Sequence, residues 1–233
     1  RKWIAGIVTA ALMVMAAGCS SQTAVEESVQ TSAGRTEAPS TEAEVVKPTA
    51  PSPSEIEPFP GAEKETKAEP LKGGKRIVVM TDIHYLAESL TDGGDMFQSM
   101  VEHGDGKLTN YVWEITDAAF EEIQLLNPDV LIISGDLSLQ GEKRSHEELA
   151  GMLDALERAG IAVVVIPGNH DINNPSAAVY SGMDRYPAEP TTPADFVSIY
   201  SEFGYSEANS RDIHSLSYTY DLGPSMRLLM LDT

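Results

Sequence analysis

Three short motifs in this chain carry side chains that bind metal ions or transfer protons. They are Asp82-Ile83-His84, Gly135-Asp136 and Gly168-Asn169-His170-Asp171. Carboxylate, imidazole and amide oxygen donors suit Mn, Fe or Zn, and the near-absence of cysteine argues against an iron–sulfur cluster or a structural zinc site. The residue types therefore predict a metal-dependent hydrolase.

The second motif favours a site with two metal ions. An aspartate that directly follows a strand, such as Asp136, is suited to bridge two ions that lie about 3.5–4 Å apart. Such a pair lowers the pKa of a bound water and contacts the attacking and leaving oxygens of a phosphoryl group. The chemistry expected at the site is hydrolysis of a phosphate ester.

Each motif follows an apolar run that is typical of a buried parallel strand. The runs are Ile77–Thr81, Val130–Ser134 and Ala162–Pro167, and they are short, continuous and rich in valine and isoleucine. Right-handed crossovers keep such strands parallel, and ligands bind beyond their carboxyl ends. The sequence therefore predicts an α/β fold in which the three motifs meet at one edge of one sheet.

The remaining elements follow from apolar spacing and from capping signals. Helices are predicted over about Tyr111–Leu126 and from Ser145 to Gly160, a short helix at Thr192-Pro193, and strands over Leu216–Leu222 and Met226–Leu231. The long connection Tyr85–Asn110 leaves directly from the first motif. Connections of this length are uncommon unless they are functional, so we expect this one to help form the substrate pocket.

In order and in context, the three motifs resemble those of the calcineurin-like metallophosphoesterases, also called purple-acid-phosphatase-like phosphoesterases. The resemblance runs from about Arg76 to the final residue. It implies a four-layer α/β/β/α sandwich. The family's three later histidines, one alone and two in a Gly-His-x-His motif, do not occur before Thr233. The chain is therefore expected to be the first part of a catalytic domain, truncated so that its second sheet is only begun.

The resemblance also implies a role for each motif residue. Asp82 and His84 would hold the first metal ion, Asp136 would bridge the two ions, and Asn169 would hold the second. His170 would be catalytic, either stabilising the transition state or protonating the leaving oxygen. Asp171 would orient His170, as carboxylates often do beside a working imidazole. The cofactors implied are two divalent or trivalent metal ions, Mn, Fe or Zn.

Three further histidines, His103, His146 and His214, could in principle replace the missing ligands. None of them follows a strand end or lies in a Gly-His-x-His context. We interpret each as an ordinary surface or capping histidine, and we leave all three out of the site.

The first 70 residues do not have the composition of a folded domain. Residues 1–19 have a basic start and an apolar stretch, Trp3–Ala17, which is a secretory signal pattern. Ala16-Ala17-Gly18-Cys19 resembles a bacterial lipobox, which predicts lipid attachment at Cys19 on the extracellular face of a bacterial cell membrane. Residues 20–70, rich in Ser, Thr, Pro and Glu, are predicted to be a disordered tether. The domain is assigned to residues 71–233.

The net charge of −20 disfavours binding to a nucleic-acid backbone, because such binding depends on Lys and Arg that neutralise phosphates. Bound metal ions can still supply local positive charge for a small phosphoester substrate. The leading hypothesis is a lipid-anchored phosphoesterase that hydrolyses mono- or diesters by attack of a metal-bound hydroxide. The alternative is a non-catalytic surface binding protein, or an inactive fragment, on the same scaffold. An aspartyl-phosphate phosphatase would need a second aspartate at the position of His84.

Overall fold

The three apolar runs form one parallel sheet, as the sequence predicts. The computed structural model describes residues 66–104 and 106–233. Its first three strands are β1 (Ile77–Met80), β2 (Val130–Ile133) and β3 (Ala162–Val165), in the order β1-β2-β3. They end in register, because the last residue of β1 pairs with the last of β2, which pairs with the last of β3. All three motifs therefore begin at the same edge, and the predicted α/β class is confirmed.

Two long helices pack against this sheet, and their apolar side chains form a hydrophobic core with those of the strands. They are α2 (Val112–Leu126), between β1 and β2, and α3 (Lys143–Arg158), between β2 and β3. Leu149, Leu153 and Leu156 of α3 lie at helical spacing and are fully buried. Asn127 caps the C-terminus of α2 with a left-handed backbone (φ 47°), and its N–H donates to the carbonyls of Ile123 and Gln124.

The start of α3 differs from the predicted capping box at Ser145. The helix begins two residues earlier, at Lys143, and Ser145 is buried inside it. The Ser145 hydroxyl accepts a hydrogen bond from the Ala87 N–H (3.1 Å), so a tertiary partner uses the group that was expected to cap the helix. The short helix α4 (Pro193–Ile199) does have a capping box, formed by Thr192 and Asp195.

The long connection after β1 is more ordered than its sequence indicates. It contains helix α1 (Asp95–His103) and two 3-10 turns, Glu88–Leu90 and Thr109–Tyr111. α1 packs on an antiparallel hairpin that no pattern in the sequence predicts, β4 (Ala178–Ser181) with β5 (Asp184–Pro187).

The carboxylate of Asp92 ties this connection to the hairpin turn. It accepts hydrogen bonds from the Gly94 and Gly182 N–H groups and from the Ser181 hydroxyl. These donors lower the pKa of Asp92. At least this aspartate of the connection therefore has a structural role.

The C-terminal strands form a second, antiparallel sheet. After a helical turn at Ser201–Tyr205 come β6 (Ser210–Arg211), β7 (Tyr218–Asp221) and β8 (Arg227–Met230), in that order in the sheet. The Tyr218 hydroxyl donates to the Val165 carbonyl (2.8 Å) and so joins this sheet to the end of β3. That the full sandwich continues beyond these strands stays a prediction.

The predicted signal segment, the predicted lipidation site Cys19 and nearly all of the predicted tether lie outside the described residues, so these assignments stay predictions. Among the helices that are described, none has the length and apolar character needed to cross a membrane.

Candidate metal centre

The backbone at the ends of β1 and β2 has an unusual conformation at three of the predicted ligands. Asp82, His84 and Asp136 all have positive φ angles, of 55°, 49° and 49°. This left-handed conformation costs about 1–3 kcal/mol for a non-glycine residue, although Asp and His adopt it more readily than most. Hydrogen bonds from the Asp82 and His84 N–H groups to the Gly135 and Asp136 carbonyls (3.1 and 2.9 Å) hold the two turns together.

These turns place the imidazole of His84 close to the carboxylates of both Asp82 and Asp136. Nε2 of His84 lies 3.7 Å from Oδ1 of Asp82 and 3.9 Å from Oδ2 of Asp136. His84, Asp136 and His170 each offer a ligand atom, and these three atoms lie within 4.8 Å of one another. Asn169 follows Gly168 on the turn after β3, and its side chain is exposed.

The environment of His84 favours the neutral imidazole that a metal ion requires. Burial lowers the pKa of His84, and Lys107 and His170 add to that effect, while Asp136 and Asp82 oppose it. Its Nδ1 atom is buried and has no hydrogen-bond partner among the described residues. Neutral imidazole nitrogen and carboxylate oxygen are donors that suit Mn, Fe and Zn, so this donor set fits a bound metal ion.

His170 is held by the main chain rather than by a carboxylate. Its Nδ1 lies 2.7 Å from the Leu139 carbonyl oxygen, which can only accept, so we assign the ring proton to Nδ1. Its backbone N–H donates to Oδ1 of Asp136 (3.0 Å). Nε2 is therefore the ring nitrogen left for a ligand, a substrate or a proton.

Asp171 was expected to orient the His170 ring through a direct contact. The structure has the Leu139 carbonyl oxygen in that position, next to Nδ1 of His170. The buried Asp171 carboxylate accepts from the N–H groups of Leu137, Ser138 and Gly168 (3.1, 2.8 and 2.8 Å) and from the Ser138 hydroxyl (2.8 Å). Its oxygens are directed to the turn that precedes Leu139. Asp171 therefore supports His170 through this turn.

The glycines of the second and third motifs pack backbone against backbone. Gly135 has φ 112°, and a Cβ atom there would lie 2.8 Å from the Gly168 Cα. A Cβ atom at Gly168 would overlap the backbone nitrogen and the carboxylate of Asp136. Glycine at both positions is what allows the turn after β3 to approach Asp136.

A comparison with protein families agrees with this geometry. Residues 75–224 match the family model described as calcineurin-like phosphoesterase. The chain belongs to this family. The matched region contains all three strand-end motifs and both glycines of the backbone contact.

Shorter stretches of the chain are similar to curated proteins. One stretch of 59 residues is 41% identical to a probable cyclic nucleotide phosphodiesterase of Vesicomyosocius okutanii subsp. Calyptogena okutanii (strain HA) and covers 25% of this chain and 24% of the relative. Another of 54 residues is 41% identical to a probable cyclic nucleotide phosphodiesterase of Synechococcus sp. (strain ATCC 27144 / PCC 6301 / SAUG 1402/1), covering 23% of this chain and 20% of the relative. The chain thus matches only a quarter or less of the length of these relatives.

One histidine lies in a different environment from the surface or capping position predicted for it. His146 is fully buried, its Nδ1 lies 2.9 Å from the Tyr200 hydroxyl, and its Nε2 lies 3.2 Å from the Asp171 carbonyl oxygen. Burial lowers the pKa of His146. The signal was its spacing with Leu149 and Leu153 on the buried face of α3. His103 and His214 are both exposed, as interpreted from the sequence.

Replacing Gly168 with alanine tests the backbone contact between the two motifs. We expect Gly168→Ala to lower the free energy of unfolding by about 1–3 kcal/mol, because the new Cβ displaces Asp136. Gly151→Ala is the matched control, since it lies inside α3 with open space around it and should raise stability by about 0.5–1 kcal/mol. Urea unfolding of both variants measures the difference. Equal stability of the two variants would contradict the contact.

Proposed function

We propose that this chain carries the active site of a metal-dependent phosphoesterase, with phosphodiesters as its favoured substrates. One observation carries the proposal: in a calcineurin-like phosphoesterase, the ligand atoms of His84, Asp136 and His170 lie within 4.8 Å of one another at the edge where the strands end. Asp82 approaches the same imidazole to 3.7 Å. The names of the two curated relatives support a diester substrate.

We propose that the site holds a pair of metal ions in the arrangement that the family resemblance implies. Asp82 and His84 would hold one ion, Asp136 would be shared, and Asn169 would hold the other. Bound ions supply positive charge to the phosphoryl oxygens and lower the pKa of a water at the site. The two carboxylate oxygens of Asp136 have different partners. Oδ1 accepts a hydrogen bond from the backbone N–H of His170, and Oδ2 faces the imidazole of His84.

The reaction proposed is an in-line displacement at phosphorus. A bond forms between a water oxygen and phosphorus, and the bond between phosphorus and the leaving alcohol oxygen breaks. With both ring nitrogens protonated, His170 donates the Nε2 proton to that leaving oxygen. The attacking water releases one proton to solvent, and Nε2 takes up a proton from solvent before the next turnover. The Leu139 carbonyl keeps the other ring proton on Nδ1 and so holds the ring in place during both transfers.

Removal and return of metal test the proposal. The protein that contains this chain should lose hydrolysis of bis(p-nitrophenyl) phosphate and of a cyclic nucleotide after exhaustive chelation. Addition of Mn²⁺, Fe²⁺ or Zn²⁺ should restore it. Full activity in the chelated protein would refute metal dependence. Metal binding without hydrolysis of any phosphoester would favour the non-catalytic binding protein instead.

A further inference from the structure

A short chain of buried polar groups leads from the end of α4 to the turn that carries His170. The Tyr200 hydroxyl, directly after α4, lies 2.9 Å from Nδ1 of His146. Nε2 of His146 lies 3.2 Å from the Asp171 carbonyl oxygen. Tyr200, His146 and Asp171 are all fully buried. The reaction proposed above uses neither His146 nor Tyr200.

The two hydrogen bonds of the His146 ring fix its tautomer. A carbonyl oxygen can only accept, so we assign the ring proton to Nε2, and Nδ1 then accepts from the Tyr200 hydroxyl. Burial lowers the pKa of His146 and raises the pKa of Tyr200, so both groups are neutral at neutral pH. Both ring nitrogens are therefore satisfied, and the ring can rotate only by breaking two buried hydrogen bonds.

Asp171 links this chain of polar groups to His170 by two routes. Its backbone carbonyl is the group that His146 holds, and His170 is its neighbour in the sequence. Its carboxylate accepts from the N–H and the hydroxyl of Ser138 (2.8 Å each). Leu139, the next residue, supplies the carbonyl beside Nδ1 of His170. A shift of Asp171 would therefore move both the backbone that carries His170 and the group that orients its ring.

We propose that His146 and Tyr200 are positioning residues for His170. They hold Asp171 in place and so direct Nε2 of His170 towards the leaving oxygen, without contacting substrate or metal themselves. The inference rests on the proposed function, and it adds two buried residues to the groups on which the reaction depends.

Packing alone does not require a polar residue at position 146. The His146 ring packs edge-on against Phe196 and Tyr200 (5.4 and 5.6 Å between centroids), and a phenylalanine ring could make the same contacts. A fully hydrogen-bonded polar group inside a core instead selects one arrangement of its neighbours. The neighbour that His146 holds through its ring N–H is Asp171.

His146→Phe tests the inference in the metal-loaded protein that contains this chain. It fills the volume of the ring and removes the donor to the Asp171 carbonyl. We expect kcat for a phosphodiester with an alkyl leaving group to fall at least about tenfold, since a displacement of about 1 Å can cost about 100-fold. With p-nitrophenol as the leaving group, kcat should fall less than about threefold, because this alcohol depends less on protonation. His146→Gln, whose amide can donate to the same carbonyl, should restore most of the alkyl rate.

A matched control and a double substitution separate positioning from stability. Leu153→Val changes a fully buried position of the same helix and should leave the ratio of the two rates unchanged. Adding His146→Phe to His170→Asn should slow the alkyl diester by less than about twofold more, because the group that is positioned has already been removed. The inference would be overturned by a full additional loss in the double variant, or by an equal change of the ratio in Leu153→Val.

The tautomer of His170 tests the inference without hydrolysis and without metal. In the isotope-labelled, metal-free protein, NMR should show the His170 ring proton on Nδ1, held by the Leu139 carbonyl. In His146→Phe we expect this form to decrease and the form with the proton on Nε2 to appear. Tyr200→Phe removes a single hydroxyl, should cause a smaller change in the same direction, and decides the test if His146→Phe does not fold. An unchanged tautomer in the folded variants would overturn the inference.

The inference and the proposed function fail in different ways. Undiminished hydrolysis of the alkyl diester by His170→Asn would overturn the role proposed for His170, and the inference with it. A slow His170→Asn variant together with an unchanged rate ratio in His146→Phe would overturn the inference alone.

Discussion

Asp136→Asn is expected to lower the affinity of the candidate metal centre for Mn²⁺ by at least about a hundredfold, since loss of even a residue that supports a ligand costs 10–100-fold. Asp136 is the residue that both neighbouring motifs contact: Oδ2 faces His84 and Oδ1 accepts from the His170 N–H. Asparagine removes the negative charge that would balance two cations. Phosphoester hydrolysis should fall at least as far as the metal affinity.

The fold should survive this substitution. Asparagine tolerates the left-handed backbone of position 136 (φ 49°), and its side-chain oxygen can still accept from the His170 N–H. Metal affinity by calorimetry and unfolding by urea are therefore measured together. Asp117→Asn, an exposed change on α2, serves as the control for lost charge. Unchanged metal affinity in Asp136→Asn would remove this residue from the metal centre.

His170→Asn is expected to slow hydrolysis by about 10²–10⁴-fold, the range typical of a lost general acid or base. The asparagine amide can still donate to the Leu139 carbonyl in place of Nδ1, while the group at Nε2 is lost. The loss should be larger for a diester with an alkyl leaving group than for one with p-nitrophenol. A poor leaving group depends more on protonation, so the ratio of the two rates reports the role of His170.

Metal affinity decides between two assignments of His170. The ligand atoms of His84, Asp136 and His170 are close enough to share an ion, whereas the family resemblance assigns His170 to proton transfer. We expect the metal affinity of His170→Asn to change only a few-fold. A fall as large as that of Asp136→Asn would show that His170 is a ligand. His103→Asn, at the exposed end of α1, controls for the loss of an imidazole.

The parallel sheet was the part of the fold that the sequence predicted best. The β1, β2 and β3 segments lie within the predicted runs, because a continuous apolar run bounded by turn residues is a local signal. α2 was predicted to within one residue at its start for the same reason. The meeting of the motifs at one edge needed only the rule that parallel strands end on the same side.

The elements that were missed depend on contacts between distant segments. Helix α1 and the hairpin of β4 and β5 pack on each other, and Asp92 joins to Ser181, 89 residues away. Neither segment has a long apolar run of its own. Their order comes from mutual burial, to which Phe97 and Tyr180 contribute, and this burial cannot be seen in either segment alone.

The hydrogen-bond partners of buried polar side chains could not be predicted either, because these partners also lie far away in the sequence. Ser145 has the sequence of a helix cap, yet its hydroxyl bonds to the Ala87 N–H, 58 residues earlier in the chain. Asp171 follows His170 directly, yet its carboxylate bonds to Ser138, 33 residues earlier. Adjacent residues on a turn direct their side chains differently, so proximity in sequence is a poor guide to contact.

By itself, the sequence determined which side chains are candidates for the site and at which edge of the sheet their motifs lie, because strand period and strand direction are local properties. Only the tertiary structure decided how the site is held. Leu139 rather than Asp171 orients His170, Gly135 and Gly168 touch through their backbones, and α1 encloses a cavity beside the imidazole. Each of these depends on the packing of segments that are far apart in the chain, where burial and the need to satisfy buried polar groups select the contacts.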